Sequence, residues 1–393
     1  MPDFTRALAQ VGAQVIGVGE GSPAGLPEKA RAALSDWIQV PRLFDESDLV
    51  PRVVAELQRR GGVDRVECCW EPLMLAAAAI REALGLHGMS ADTVRGFRDK
   101  ELMKERVRAA GLRVPHSARV RTATETRAAA ARIGFPLILK PIAGAGSADT
   151  YRVDSEADLD RALAAMGHVT EASCEEFVEG DEFTYDTVCA GGQPVYENVA
   201  WYLPRPLVAR TEHWISPYIV TLRDLDAPDL QGGLELGRGV LAALGMGDGF
   251  THMEWYRKAN GEVVFGEIGC RPGGARLVDQ MNFTGDIDLY VTWAQAVTGQ
   301  PAQVSQERPY HCGIVFKRAH GEGRIQRIVG LEAFRQRWGR WMLDETLLRP
   351  GTPRRDWKAT LVSDGYLLFR HPDWQTARQI ARDFQESVHL VAG

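Results

Sequence analysis

Short apolar runs that stop at glycine alternate with helical patterns through the first hundred residues, and that rhythm admits few architectures. Gln14 to Val18 is rich in β-branched residues and ends at Gly19, which reads as a buried strand. Trp37 to Val40, before Pro41, reads as a second strand, and Val63 to Cys69 as a third. Glu28 to Leu34, Leu49 to Arg60 and Leu73 to Leu84 carry helical patterns, the last two closed by Gly61-Gly62 and Gly85. Such alternation predicts a parallel sheet covered by helices. A doubly wound domain usually opens on a strand. This chain opens on the helical pattern Phe4 to Val11, so the sheet is expected to be one strand short, or to lack its first strand at this start.

The pattern then changes. Thr93 to Ala110 reads as one charged amphipathic helix. Strand patterns follow at Ser117 to Arg121, Pro136 to Pro141, Thr150 to Val153 and Ala172 to Val178, with helices at Glu125 to Ile133 and Glu156 to Met166. Glu182 to Ala190 and Gln193 to Val199 predict a hairpin over Gly191-Gly192, and Gly249 to Arg257 and Glu262 to Ile268 a second at Asn260-Gly261. Helices are expected at Leu234 to Leu244, Asp286 to Val297 and Gln375 to Val391, with strands at Cys312 to Lys317 and Tyr366 to Arg370. The expected class is therefore α/β at the N-terminus and α+β beyond it. A chain of 393 residues exceeds the roughly 250–300 that one core supports, so two or three domains are expected.

Several function classes lose ground at once. The net charge of -6 disfavours a duplex nucleic-acid binder. The longest apolar run, Leu73 to Ile80, is far short of a membrane span. Met1 to Gln10 has no basic segment followed by an apolar core, and the six cysteines are scattered without a CxxC spacing. The expectation is a cytoplasmic chain with free thiols. No HxxxH or HExxH pair occurs among the nine histidines, which argues against zinc. Gly17-Val18-Gly19-Glu20-Gly21 lacks dinucleotide spacing, because Ser22 stands where the last glycine belongs.

Three constellations carry chemistry. Lys140 ends the apolar strand Pro136 to Pro141, where a buried charge needs an anion, and Ala143 to Ala148 is glycine-rich. Glycines there let backbone N–H groups approach phosphate. Glu175 to Glu182 is an acidic cluster beside a strand, suited to an adenine amine and ribose hydroxyls. Glu254 and Glu267 flank the Asn260-Gly261 turn, so counting outward places them at comparable height on neighbouring strands. Two such carboxylates make a hard oxygen site for Mg²⁺. Arg271 follows in Arg271-Pro272-Gly273-Gly274 and could neutralise charge on a transferring phosphoryl group. Taken singly, each has a plain structural reading: a surface lysine beside a loop, a solvated strand end, an exposed cross-strand pair.

Their order is more specific. A lysine on a helix, a lysine on a strand, a glycine loop, an acidic hinge, a glutamate, then a glutamate followed by Arg-Pro-Gly-Gly resembles the ATP-grasp superfamily, in particular its carboxylate–amine ligases, including its amino-acid-ligase and biotin-carboxylase-like branches. The resemblance covers roughly residues 15–299, with the motifs in 99–274. It implies ATP held between two α+β subdomains, with Lys100 and Lys140 on the phosphates and Gly144, Gly146 and Ser147 in a mobile loop over them. Glu175, Glu176 and the Val178 backbone are implied at adenine, Glu182 at ribose, Glu254 and Glu267 at one or two Mg²⁺ ions, and Arg271 with Lys140 in the acyl-phosphate step. One departure stands out: the family commonly reads Glu-x-Asn-x-Arg, and Gly269 replaces the Asn. Both carboxylates remain, so metal binding is expected to survive, with water in the lost amide's position.

The resemblance also implies three parts: an N-terminal domain over 1–95, an ATP-grasp centre over 96–300 with a mobile subdomain about 115–190, and a small C-terminal α+β lid over 301–393. The expected partners are a small carboxylate and an amine, without nucleic acid or membrane, and a homodimer is left open. Trp201 to Tyr218 offers aromatic walls and the cations Arg210 and His213 for a substrate, which Gly273 and Gly274 would also approach; a surface crossover packed by its own aromatics is the alternative. His252 shares a strand face with Glu254, either near the metal or as a satisfied core histidine. An amino-acid or dipeptide ligase is the favoured activity. A bicarbonate-using carboxylase or purine-pathway relative, and a nucleotide-binding regulator without turnover, are the rivals.

Overall fold

The computed structural model describes residues 2–393 except 143–148, 213, 358, 359 and 361. The expected Gly144, Gly146, Ser147 and His213 therefore lie outside the described residues.

The N-terminal strands Ile16–Gly19 and Asp36–Gln39 pair in parallel. Ile38 and Val40 pack beneath Leu49, Val53 and Leu57 of the helix Glu46–Arg59 and Ala76 and Ile80 of Met74–Leu84. The stretch expected as a third strand, Val63 to Cys69, forms no ladder. Arginine side chains take up carbonyls along and beside it instead: Arg81 Nη1 donates to Val66 O at 2.8 Å. Arg65 in turn reaches away, its Nε donating to Val297 O at 3.1 Å. The opening helix, Pro2–Gln10, does not serve this sheet. Phe4 packs edge-to-face on Trp293 and Phe250, with ring centroids 5.0 and 5.9 Å away, in the core beside the helix Leu289–Val297.

The residues expected as one helix over Thr93 to Ala110 form two, Ala91–Gly96 and Lys100–Ala109. Asp99 causes the break, because its side chain accepts from the N–H groups of Glu101 and Leu102, both at 3.0 Å. Lys100 is thereby the first residue of its helix. A four-stranded antiparallel sheet follows in the order Ser117–Val120, Ala172–Glu176, Leu137–Pro141, Tyr151–Val153. The helices Ala123–Ile133 and Glu156–Ala165 cover it through Ala129, Ala130, Leu159 and Ala162.

The largest sheet has eight antiparallel strands. Val263–Gly269 forms one edge, followed by Gly249–Arg257, Asp181–Ala190, Gln193–Leu203, Tyr218–Thr221, His311–Phe316, Gly365–His371 and Met342–Leu347. Strands from both sides of residue 301 share this sheet, since Cys312 pairs with Thr221. Helix Pro228–Leu244 packs against it with Gly237 over the Tyr185 ring, where a Cβ would lie 2.3 Å from a ring carbon. The final helix ends at Ser387, earlier than expected. His389–Ala392 leaves it to pair antiparallel with Ile325–Val329, burying Leu390 and Ala392 on alternate positions.

Candidate active site

Both glutamates expected at a metal stand on the Asn260-Gly261 hairpin, whose turn is held by Asn260 Oδ1 accepting from Glu262 N at 3.0 Å. Near the turn the ladder pairs Arg257 with Val263 and Trp255 with Phe265. It then slips by one residue, so Glu254 pairs with Glu267 and Gly266 is passed over. A Cβ at Gly266 would lie 2.7 Å from Glu254 O, so only glycine fits the bulge as built. The slip turns Glu267 to the same face as Glu254.

Lysines converge on these carboxylates. Lys100 Nζ and Lys140 Nζ lie 3.5 and 3.7 Å from Glu267 Oε2. Lys140 also pairs with Glu175 Oε1 at 2.6 Å, and Lys104 with Glu175 Oε2 at 2.6 Å. Lys104 is 1% exposed and further donates to Ser173 Oγ at 2.8 Å. Burial would raise the Glu175 carboxyl, but Lys104 and Lys140 outweigh it and hold Glu175 down at about 2. Burial likewise opposes ionisation of Glu267, yet Lys100 and Lys140 hold it at about 2. Glu254 has no such help. Burial, then the charges of Glu267 and Glu182, push it up to about 7.

Lys100, Lys140, Glu175, Glu176, Val178, Glu182, Glu254 and Glu267 all line one cleft with about 740 Å³ of empty space. Ile138, Phe177, Leu207 and Tyr256 supply its apolar wall. The acidic cluster differs from expectation in detail. Instead of free carboxylates for an adenine amine, both Glu175 oxygens are taken by lysines and both Glu176 oxygens accept from Arg113 Nη2, at 2.8 and 3.0 Å. Glu182 Oε2 accepts from Arg205 Nε at 2.9 Å, and Val178 O from Arg205 Nη1 at 2.8 Å. Charges so buried are costly until paired, which is why each found a partner within the chain.

Arg271 lines a second hollow, with about 340 Å³ of empty space. Its Nε donates to Glu71 Oε2 at 2.9 Å, and Glu71 also binds Arg98. His252 Nδ1 lies 2.6 Å from Asp186 Oδ1, and its Nε2 lies 4.0 Å from Glu254 Oε1. Asp186 is fully buried and accepts from Thr184 Oγ1 at 2.6 Å. Gly273 leaves room for that ring, since a Cβ there would lie 3.0 Å from His252 Nδ1. Gly274 O accepts from Leu277 N at 3.0 Å, and Arg210 rides on the short helix Pro206–Thr211. Sequence reasoning passed over Lys104, Glu71 and Asp186. The four-residue spacing of Lys100 and Lys104 on one helix face was the signal available for the first. Glu71 and Asp186 sit 200 and 66 residues from their partners, and no local pattern marks them.

The opposed pair fits a divalent cation. One carboxylate is already ionised and the other is kept from ionising by burial and then by its neighbours' negative charge, and a hard dication between them would offset both.

Residues 99–179, which carry both lysines that meet at Glu175, match the family described as carbamoyl-phosphate synthase L chain, ATP binding domain. Over this segment the chain is similar to an ATP-grasp ATP-binding domain. An L-arginine-specific L-amino acid ligase of Bacillus subtilis is 26% identical to this chain over 266 residues, which cover 65% of this chain and 63% of that protein. An alanine–anticapsin ligase of Bacillus subtilis (strain 168) is 26% identical over 279 residues, 64% of this chain and 57% of its own length. Among solved structures, an L-amino acid ligase from Bacillus licheniformis superposes with a TM-score of 0.80 at 20% identity, covering 100% of this chain and 96% of that one. The shared fold thus extends over the whole chain.

Proposed function

We propose that this chain is an ATP-dependent ligase that activates a small carboxylate as an acyl phosphate and joins it to an amine, with release of ADP and phosphate. An amino-acid or dipeptide ligase is the subclass we favour. One observation carries the reading: Lys100, Lys140, Glu254 and Glu267 meet in a single cleft. The names of the aligned ligases from Bacillus subtilis support the subclass.

In this reading Lys100 and Lys140 exchange Glu267 and Glu175 for the nucleotide's phosphates. Glu254 and Glu267 would hold Mg²⁺, which would supply positive charge against the phosphates. Val178 and Glu182 face adenine and ribose. Arg271, released from Glu71, neutralises charge on the reacting acyl group, so that catalysis comes from positioning and electrostatics more than from a covalent nucleophile. The residues 1–95, 96–300 and 301–393 act as the three parts of a cytoplasmic enzyme, and no described helix is long and apolar enough to cross a membrane.

The test is ADP release by the full chain with Mg-ATP against amino acids, small carboxylates and bicarbonate, singly and in pairs, beside Glu267→Ala. Release confined to a particular pair, and lost in the variant, supports the ligase. Release with bicarbonate alone replaces it with the carboxylase reading. ATP binding without release from any combination favours the regulator.

A further inference from the structure

Arg318 follows the strand His311–Phe316 and is only 5% exposed. Its main-chain N–H donates to Ser216 Oγ at 3.1 Å, and its Nη1 donates to the Glu212 carbonyl at 3.0 Å. The guanidinium lies 4.2 Å from the centroid of the Trp357 ring. Its buried Nε has no hydrogen-bond partner among the described residues. The Glu212 carbonyl is the one hydrogen-bond acceptor its guanidinium has among them. The nearby acid, Asp364, compensates only in part. Asp364 accepts from Ala319 N at 2.8 Å and Arg355 N at 2.9 Å, and the cation closest to it is Arg354, at 3.4 Å.

The surroundings are cationic as well. Glu212, whose carbonyl holds Arg318, comes two residues after Arg210. Burial first, then the charge of Arg210, pull the Arg318 guanidinium down to about 10, with Asp364 opposing and Arg354 adding to the shift. Burial also holds Arg210 below the usual range. A guanidinium desolvated beside other guanidiniums is an expensive arrangement unless an anion completes it. Its position is informative. Pro206 and Leu207, at the start of the helix that bears Arg210, line the cleft of the lysines and glutamates, so Arg210 lies about one helical turn from the cleft wall.

We propose that Arg318 and Arg210 form an anion subsite that takes the carboxylate of the amine-bearing substrate. The planar guanidinium fork matches a carboxylate in two parallel hydrogen bonds, and the Trp357 ring keeps the Arg318 plane in place. The occupant's identity rests on the ligase reading; the subsite itself does not. Arg318 would thus bring the segment after residue 301 into substrate recognition, which no motif of the centre supplies.

Two measurements test it. The first is calorimetric titration of succinate into the full chain saturated with Mg²⁺ and a non-hydrolysable ATP analogue. Wild type is expected to bind, Arg318→Gln at least tenfold more weakly, and Arg318→Lys in between. Equal binding in wild type and Arg318→Gln overturns the subsite, and Arg318-dependent binding of inorganic phosphate without succinate overturns the carboxylate assignment. If circular dichroism shows Arg318→Gln unfolded, the less buried Arg210→Gln is read by the same criterion. The second compares an accepted amino acid with its C-terminal amide in turnover. The acid's KM is expected at least tenfold below the amide's, with the gap closed in Arg318→Gln and kcat changed less than threefold. Turnover with equal KM for acid and amide sinks the subsite and leaves the ligase standing. Arg318-dependent succinate binding without turnover from any pair sinks the ligase and leaves the subsite standing.

Discussion

Glu254 stands opposite Glu267, and not opposite Gly266, because the strand ladder slips by one residue between Glu254 and Trp255. Without the slip the count from the turn would continue as 257 with 263 and 254 with 266. Glu267 would then sit across from Met253, which is fully buried on the other face. The paired carboxylates therefore depend on a backbone irregularity as much as on their own identity.

That dependence can be tested without touching either glutamate. Gly266→Ala would put a Cβ 2.7 Å from Glu254 O and force the bulge to shift. We expect it to cost about 1–3 kcal/mol of stability. We also expect at least a tenfold loss of Mn²⁺ affinity, measured by electron paramagnetic resonance, comparable to Glu267→Gln. Unchanged Mn²⁺ affinity in a folded Gly266→Ala would show that the register does not matter to the site.

Lys104 is the buried anchor of the lysine–glutamate chain. Lys104→Met leaves Glu101 and one side of Glu175 without their cation. Breaking a buried pair costs about 3–5 kcal/mol, which urea unfolding would read directly. Because Glu175 also holds Lys140, ATP affinity should fall as well. A stability change below about 1 kcal/mol would contradict the assignment.

Lys317 gives a pH signature. It is 1% exposed, and its Nζ donates to the carbonyls of Phe384 and Gln385 in the last turn of the final helix, at 3.1 and 2.7 Å. Burial lowers it to about 8 from 10.5. The folded state then holds fewer protons than the unfolded state between those values. Stability should rise as pH climbs from about 8 towards 10.5, and the gain should be lost as pH falls back through 8. Chemical denaturation across pH 7–10.5 should show that rise in wild type and lose it in Lys317→Met.

Arg271→Lys should separate binding from chemistry. Lysine keeps the charge but not the guanidinium, whose Nε donates to Glu71 and whose Nη1 donates to Pro272 O. We expect ATP affinity within about threefold of wild type and turnover lower by roughly 10²–10³. Equal losses in both would make Arg271 a nucleotide ligand.

Much of the site was legible in advance because its residues belong to short motifs. Lys140 ends an apolar strand, the Asn260-Gly261 turn lies between two glutamates, and Arg271 follows the second. Hairpins and helix stops were equally local. The missed helix break at Asp99 is a capping effect outweighed in reading by a continuous amphipathic pattern. Where a third N-terminal strand was expected, the Val66 carbonyl accepts from the Arg81 side chain instead of from a neighbouring strand. That contact spans 15 residues, and no periodicity announces it.

The sequence by itself determined the order of cations, glycines and carboxylates, and with it the family resemblance and the hairpin that carries the glutamate pair. Local chemistry is enough for that, since turns, caps and alternation act within a few residues. Only the tertiary structure decided how the charges are balanced: Glu175 between Lys104 and Lys140, Glu71 on Arg271, Arg318 buried against the Glu212 carbonyl. A buried charge is settled by whichever partner the packed chain brings within about 4 Å, and that distance is a property of the whole fold.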